Sequence, residues 1–271
     1  MTTLGLEGMT AIVTGAASGI GRATAKIFSD LGVSVLCADL NAAGCDEVVA
    51  SIRHSSPGAR SFTVDISDEA GVASMCDAAI ETWGKLDIIV NCAFLSDPDI
   101  IRHDGAVGDL QADIWDRSMA VNARGPMLVC KHAVRVMLPR QTGSIVNVSS
   151  THSIVGELGA TSYGMAKAAV NSLTRYVATQ YGKSGIRCNT VVPGPTRTPS
   201  LLNNVSEGLQ AILEGAALTP FLGEPEDLAH AIVFVSSPWA RYITGEAICV
   251  NGGRTIHAPT FAQEMASAPG S

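Results

Sequence analysis

Five residues of strand character, Thr10-Ala11-Ile12-Val13-Thr14, run straight into Gly15-Ala16-Ala17-Ser18-Gly19-Ile20-Gly21, and beyond the turn Ile20, Ala23, Ile27 and Leu31 recur at helical spacing. A strand, a glycine turn and a helix in immediate succession leave few folds open. The glycines stand as Gly-x-x-x-Gly-x-Gly, one residue longer than the Gly-x-Gly-x-x-Gly pattern of many nucleotide-binding turns. The physics is similar. Glycine lets the backbone turn tightly and approach a pyrophosphate, whose charge is met by free N–H groups and the positive end of the helix. An ordinary tight turn between strand and helix accounts for the same glycines, so the next strand matters. It spans Val33 to Ala38 and ends in Asp39, eighteen residues past Gly21. A carboxylate there can bond an adenosine ribose diol and repels a 2′-phosphate. No Arg or Lys stands at Ser18, Leu40 or Asn41 to offset that repulsion, so NAD is favoured over NADP. Capping the helix that begins near Asn41 is a second role open to Asp39.

The alternation continues down the chain. A helix is predicted over 42–54, a strand over 60–64, and a helix from an N-cap at Ser67 to Trp83. Asp65 and Ile66, at that strand's carboxyl end, are candidates to edge an adenine. Leu86–Val90 reads as a fourth strand running into Asn91-Cys92-Ala93-Phe94, and residues 96–108, rich in Asp, Pro and Gly, as a loop. A long helical region from about Gln111 to Leu138 carries Asn122 among apolar neighbours, where its amide must bond backbone or hold water. Ser144–Val148 forms a fifth strand delivering Ser149-Ser150, and Arg187–Val192 a sixth that leaves through Pro193-Gly194-Pro195-Thr196-Arg197-Thr198-Pro199. Residues from about 195 to 223 read as a mobile flap over the binding site, 225 onward as the last main helix, 247–250 as the seventh strand, and 254–271 as a loosely held tail. The pattern predicts a single α/β domain over 1–271: a doubly wound, seven-stranded parallel sheet with helices on both faces.

Thr161-Ser162-Tyr163-Gly164-Met165-Ala166-Lys167 carries the chemistry. In a helix over about 160–182, Tyr163 and Lys167 share one face. A phenol of pKa about 10 is a poor base at neutral pH, and a fixed ammonium beside it favours the phenolate. Tyr-x-x-x-Lys is also common on amphipathic helices, so the pair needs company. Other classes are disfavoured. A net charge of −7 argues against nucleic acid or anionic lipid as partner. The apolar runs are too short to span a membrane, and the N-terminus lacks a signal-peptide pattern, so a cytoplasmic protein is expected. Seven scattered cysteines without Cys-x-x-Cys predict reduced, mostly buried thiols and no zinc.

Together these motifs resemble the short-chain dehydrogenase/reductase family, over nearly the whole chain from about Leu6 to Gly253. The matching pieces are Thr14 to Gly21, Asp39, Asp65, Asn91, Asn122, Ser150 thirteen residues before Tyr163, Lys167, Pro193-Gly194, and Tyr242-Ile243-Thr244-Gly245 leading to Asn251-Gly252-Gly253. The resemblance implies a Rossmann-like fold binding NAD through Gly15, Ser18, Gly19, Ile20, Gly21, Asp39, Asp65, Ile66, Asn91, Ala93, Pro193, Gly194, Thr196 and Thr198. It implies Tyr163 as acid/base, Ser150 holding the substrate oxygen, Lys167 lowering the phenol's pKa and bonding the nicotinamide ribose, and Asn122 keeping a water in the proton path. A homotetramer is implied as well. Two positions depart from the family pattern: Phe94 stands where a glycine is usual, and Thr196 where an aliphatic residue is commoner. The expected activity interconverts a secondary alcohol and a ketone. An NADP-dependent reductase and a non-catalytic dinucleotide sensor are the alternatives, the second having no need of Ser150, Tyr163 and Lys167 together. Phe94, His152, Ile154, Leu158, Leu201 and Leu202 are expected to line the pocket, an apolar set with one imidazole that suits a fairly bulky alcohol, cyclic ones included. His152 is open to bonding a second hydroxyl or a structural partner.

Overall fold

The computed structural model describes residues 4–56 and 58–267. Its centre is a parallel sheet of seven strands in the order β3-β2-β1-β4-β5-β6-β7, where β1 is Thr10–Thr14, β2 Ser34–Asp39, β3 Arg60–Thr63, β4 Ile88–Asn91, β5 Gly143–Val148, β6 Ile186–Pro193 and β7 Ala247–Val250. The chain winds from β1 outward through β2 to β3, then returns to β4 on the other side of β1. That reversal opens a crevice at the carboxyl ends of β1 and β4, the place where open α/β sheets bind ligands. β1 and β4 are buried at every residue, as strands covered on both faces must be.

Helices α1 (Gly19–Asp30), α2 (Ala42–Ile52) and α10 (Pro225–Ser236) cover one face with a core that includes Phe28, Val48, Ile52, Leu228 and Ile232. Helices α3 (Glu69–Trp83), α6 (Gly125–Met137) and α7 (Thr161–Tyr181) cover the other around Met75, Leu128, Met137 and Ile145. Arg187 on β6 ties a helix end to the sheet: its guanidinium donates to the carbonyls of Val235, Ser236, Ser237 and Ile243 and to the Ser144 hydroxyl. It therefore satisfies carbonyls at the end of α10 that have no partner within the helix. No helix among the described residues is long and apolar enough to cross a membrane.

Four local expectations change. The N-cap of α3 is Asp68, whose carboxylate accepts from Ala70 N and Gly71 N, while Ser67 donates its hydroxyl to Asp65. A carboxylate reaches both free N–H groups and gains from the helix's positive end, so it takes the cap from the serine. The expected loop over 96–108 contains α4 (Pro98–His103), capped by Asp97. The long helix after Gln111 is interrupted: α5 (Ala112–Met119) passes through a π-helical turn, Ala120–Arg124, into α6. Pro126 has no N–H to give the carbonyl four residues back, that of Asn122, and the ladder reorganises there. The tail is not all loose. It forms α11 (Phe261–Ser267), and its last four residues lie outside the described ones. The flap is built of α8 (Pro199–Asn204) and α9 (Glu207–Gly215), its ends joined by a parallel bridge between Thr196 and Gly223.

Candidate active site

The glycines of the first turn do two different jobs. A Cβ on Gly21 would lie 2.2 Å from the Gly15 carbonyl oxygen, and one on Gly15, whose φ is +68°, would lie 2.7 Å from Ala93 N. These two positions pack backbone against backbone. Gly19, at φ +51°, instead faces the segment after β6, where a Cβ would come 3.2 Å from the Thr198 methyl. Helix α1 starts at Gly19 with no side-chain cap from Ser18 and no acid in its first turn, which keeps Gly19, Ile20 and Gly21 N–H groups free of competing carboxylates. An anion is the partner such a helix end favours.

Around that turn stand the other predicted cofactor residues. Asp39 closes β2 and accepts from Ala17 N and Asn41 N, so it braces the glycine turn and the entry to α2 together. It does not cap α2; Asn41 does, accepting from Gly44 N. Asp65 accepts from Ser67 at the edge, whereas Ile66 is buried with its side chain in the space a Cβ on Gly125 would need. Ala93 N donates to the Thr14 hydroxyl. Gly194 packs on Asn251, Thr196 is buried with its hydroxyl on the Gly194 carbonyl, and Thr198 caps α8. Asn91 faces the sheet interior. Its amide turns into the sheet and donates to Asn147, which donates to Thr174, itself bonded to Thr190. Asn91 and Asn147 are register partners on buried strands, and the Asn91 Oδ1 is left without a partner among the described residues. The uncapped helix end, the positive-φ Gly19 under Thr198 and the Asp39 carboxylate together fit a dinucleotide, pyrophosphate at the turn and ribose at the acid.

On the reaction side, β5 delivers Ser149 and Ser150, and α7 presents Tyr163 and Lys167. Lys167 is 2% exposed, donates to the Val148 carbonyl at 2.9 Å and stands 5.6 Å from the centre of the Tyr163 ring. Ser149 anchors this helix by donating to the Lys167 carbonyl. The Ser150 hydroxyl lies 3.1 Å from Nδ1 of His152 and accepts from His152 N, and the imidazole meets the Tyr163 ring edge-on at 5.5 Å. Asn122, in the π-helical turn, takes the backbone option: its Oδ1 accepts from Leu95 N and its Nδ2 donates to Ser118.

Burial dominates the electrostatics here. Burial raises the Tyr163 phenol above its ordinary 10, with only the Ser150 hydroxyl acting to lower it. The Lys167 ammonium sits over the ring face, is held by the Val148 carbonyl, and is itself lowered by burial to about 8, with Cys92 opposing. Burial also lowers His152, with Glu157 opposing, Arg254 acting with the burial, and Asp104 opposing.

Sequence reading missed Asp104. From the connection after α4 its carboxylate accepts from Ser162 N and Tyr163 N, at 2.8 and 3.0 Å, and its carbonyl accepts from Ala160 N. With Thr161 donating to the Gly105 carbonyl, this segment fixes the first turn of α7 and the left-handed Ala160, φ +55°, before it. The signal that could have found it was slight: a lone acid in a polar loop. The predicted pocket residues form a rim. Phe94 is 38% exposed, Ile154 and Leu202 nearly half, and Leu158 completely, while Leu201 N is bonded to Thr198 in the first turn of α8.

Comparison with known proteins follows the same lines. The family described as enoyl-(acyl carrier protein) reductase matches residues 15–255. A probable short-chain type dehydrogenase/reductase of Bradyrhizobium diazoefficiens is 38% identical over 94% of this chain and 90% of its own. The cis-4-hydroxycyclohexanecarboxylate dehydrogenase of Sinomonas cyclohexanicum is 38% identical, covering 90% and 96%. Among solved structures, a 7α-hydroxysteroid dehydrogenase complexed with NADH and 7-oxo glycochenodeoxycholic acid superposes with a TM-score of 0.85 at 30% identity, over 93% of this chain and 96% of that one.

Proposed function

Since the chain belongs to the short-chain dehydrogenase/reductase family, oxidoreductases that use a nicotinamide dinucleotide, we propose that it is an NAD-dependent dehydrogenase interconverting a secondary alcohol and a ketone on a bulky, ring-bearing substrate. The observation that carries this reading is Ser150, Tyr163 and Lys167 gathered at the carboxyl end of β5, on the side of the crevice opposite the glycine turn.

Gly19, Asp39, Lys167 and Thr198 would hold the NAD, which when bound would supply the hydride acceptor and a positive charge for the oxidation. Tyr163, as phenolate, takes the proton from the alcohol oxygen, and the Ser150 hydroxyl donates to that oxygen as the carbon loses its hydrogen with both electrons. The raised phenol suits this role only if a cation opposes the burial, so Tyr163 in the protein alone stays protonated, ready to act as the acid in ketone reduction. Lys167 offers the rest of its donors to the nicotinamide ribose. Asn122, in the π-helical turn, is held at both ends of its amide, by Leu95 N and the Ser118 hydroxyl. Asp39 supports NAD over NADP, since its carboxylate would face a 2′-phosphate and Arg22 is turned to Glu47 at 3.7 Å.

The exposed Phe94, Ile154, Leu158 and Leu202 support a large apolar substrate, as do the ring substrates named for two of the relatives. A homotetramer is supported by Tyr176, Phe234 and Trp239 standing exposed on the outer surface, and a cytoplasmic setting by free thiols, of which Cys37, Cys45, Cys76 and Cys92 are pushed by burial to about 12. Steady-state assays of ring alcohols with NAD and NADP, following absorbance of the reduced nicotinamide, test the reading. Turnover with NAD and a marked preference over NADP is expected; turnover confined to NADP, or to small acyclic acids, contradicts it.

A further inference from the structure

Arg254 is a cation beside the reaction site for which the hydride chemistry has no use. Its side chain is 18% exposed, and its guanidinium makes one hydrogen bond among the described residues, from Nη2 to Glu157 Oε1 at 3.1 Å. Glu157 lies on the loop that follows Ser150 and leads into α7. On the other side, the backbone around Arg254 is seated on the end of the flap. Leu218 N donates to the Gly252 carbonyl at 2.7 Å, a Cβ on Gly253 would meet Leu218 at 2.7 Å, and His257 Nε2 lies 2.9 Å from the Ala216 carbonyl. Asn251 holds this turn by accepting from Gly253 N and donating to Thr255. Arg254 thus bridges the loop after Ser150 and the end of the flap. Its charge reaches inward: together with Glu157 and Asp104 it bears on His152, whose Nδ1 is 3.1 Å from the Ser150 hydroxyl.

Around it the rim is apolar, with Ile154, Leu158, Leu202 and Leu218 all exposed. A guanidinium presents five donors in a planar fork matched to a carboxylate, and Glu157 occupies one of them. We propose that Arg254 is an anion subsite, taking through the donors Glu157 leaves free a carboxylate carried by the substrate on the far side of its ring system from the reacting carbon. Glu157 orients the arginine and at the same time repels the incoming charge, which keeps the anion's hold moderate. The subsite therefore selects ring alcohols with an acidic end over neutral ones of the same shape. This rests on the alcohol-dehydrogenase reading for its place in turnover.

The test uses two ring alcohols of different length, 4-hydroxycyclohexanecarboxylate and cholate, each beside its methyl ester. The acid of at least one pair is expected to exceed its ester in kcat/KM by roughly tenfold, carried by KM, the size of one charge-assisted hydrogen-bonded pair. Arg254→Gln should bring that ratio near one, Arg254→Lys should restore part of it, and Glu157→Gln should raise it. The proposal is overturned if neither pair shows the preference, or if Arg254→Gln and Glu157→Gln lower acid and ester alike, as the loss of a purely structural clamp would. Calorimetric binding of both acids to the wild type and to Arg254→Gln needs no turnover. Tighter binding of either acid to the wild type supports the subsite even if no alcohol is oxidised, a result that would sink the dehydrogenase reading instead; equal binding overturns the subsite.

Discussion

The glycine turn after β1 and the rim formed by the flap, the loop after Ser150 and the tail face each other across one crevice, yet they are held by opposite means. The turn is fixed by backbone: Gly21 against the Gly15 carbonyl, Gly15 against Ala93, and Asp39 bonded to main-chain N–H groups. The rim is made of side chains on short helices and loops, many of them exposed, and held by sparse contacts such as Arg254 to Glu157. The difference separates what the family shares from what one member recognises. A backbone cradle admits a single ligand geometry, whereas a rim of exposed side chains can change its ligand by changing residues.

The contrast breaks first at the cradle. Gly21→Ala puts a methyl group 2.2 Å from a carbonyl oxygen that no flexible side chain can relieve. A loss of about 3 kcal/mol is expected, read as a fall in melting temperature together with lost dinucleotide binding. A variant that melts like the wild type would show that the turn is not over-determined.

Asp104 lies between the two regions in effect. Asp104→Ala removes both acceptors from the N–H groups of Ser162 and Tyr163 and should cost about 2 kcal/mol of stability. Because the turn it releases carries Tyr163, kcat should fall by on the order of tenfold to a hundredfold while the dinucleotide Kd holds. An unchanged kcat would mean that α7 keeps its first turn without help.

That residue also marks how far the sequence could be read. The glycine turn, Asp39 and the Tyr163–Lys167 pair were legible because each lies within one strand–turn–helix unit, where spacing alone sets geometry. Asp104 acts across nearly sixty residues and is one acid among several in a polar connection, so nothing local distinguishes it. The π-helical turn had a signal, Pro126 four residues after Asn122, but helical periodicity runs through it undisturbed. For Asn91 the family pattern gives a position and not a direction. Only the register between β4 and β5 reveals that its amide belongs to Asn147. The phenol's rise in the protein alone was not legible, because a four-residue spacing shows that a cation is near and leaves burial out.

Smaller effects sharpen the comparison. Burial holds Lys167 at about 8 in the folded chain against an ordinary 10.5, so between those values the unfolded chain binds more protons. Stability of the protein alone should gain from this group as pH rises from about 8 to 10.5, and the gain should vanish in Lys167→Met. Denaturant unfolding at several pH values checks the slope, and an identical slope in both proteins would rule the assignment out. Smallest of all, Leu158→Ala on the open rim should leave stability within about 0.5 kcal/mol, since that side chain is fully exposed, while weakening KM for ring alcohols. A marked loss of stability would place Leu158 in a packed wall.

The most direct measurement is Tyr163→Phe, assayed for turnover with NAD and the best ring alcohol and for dinucleotide Kd by nicotinamide fluorescence. Removing one hydroxyl from a ring that keeps its packing should lower kcat by a factor on the order of 10³ and leave the Kd unchanged. Turnover close to that of the wild type would show that another group carries the proton.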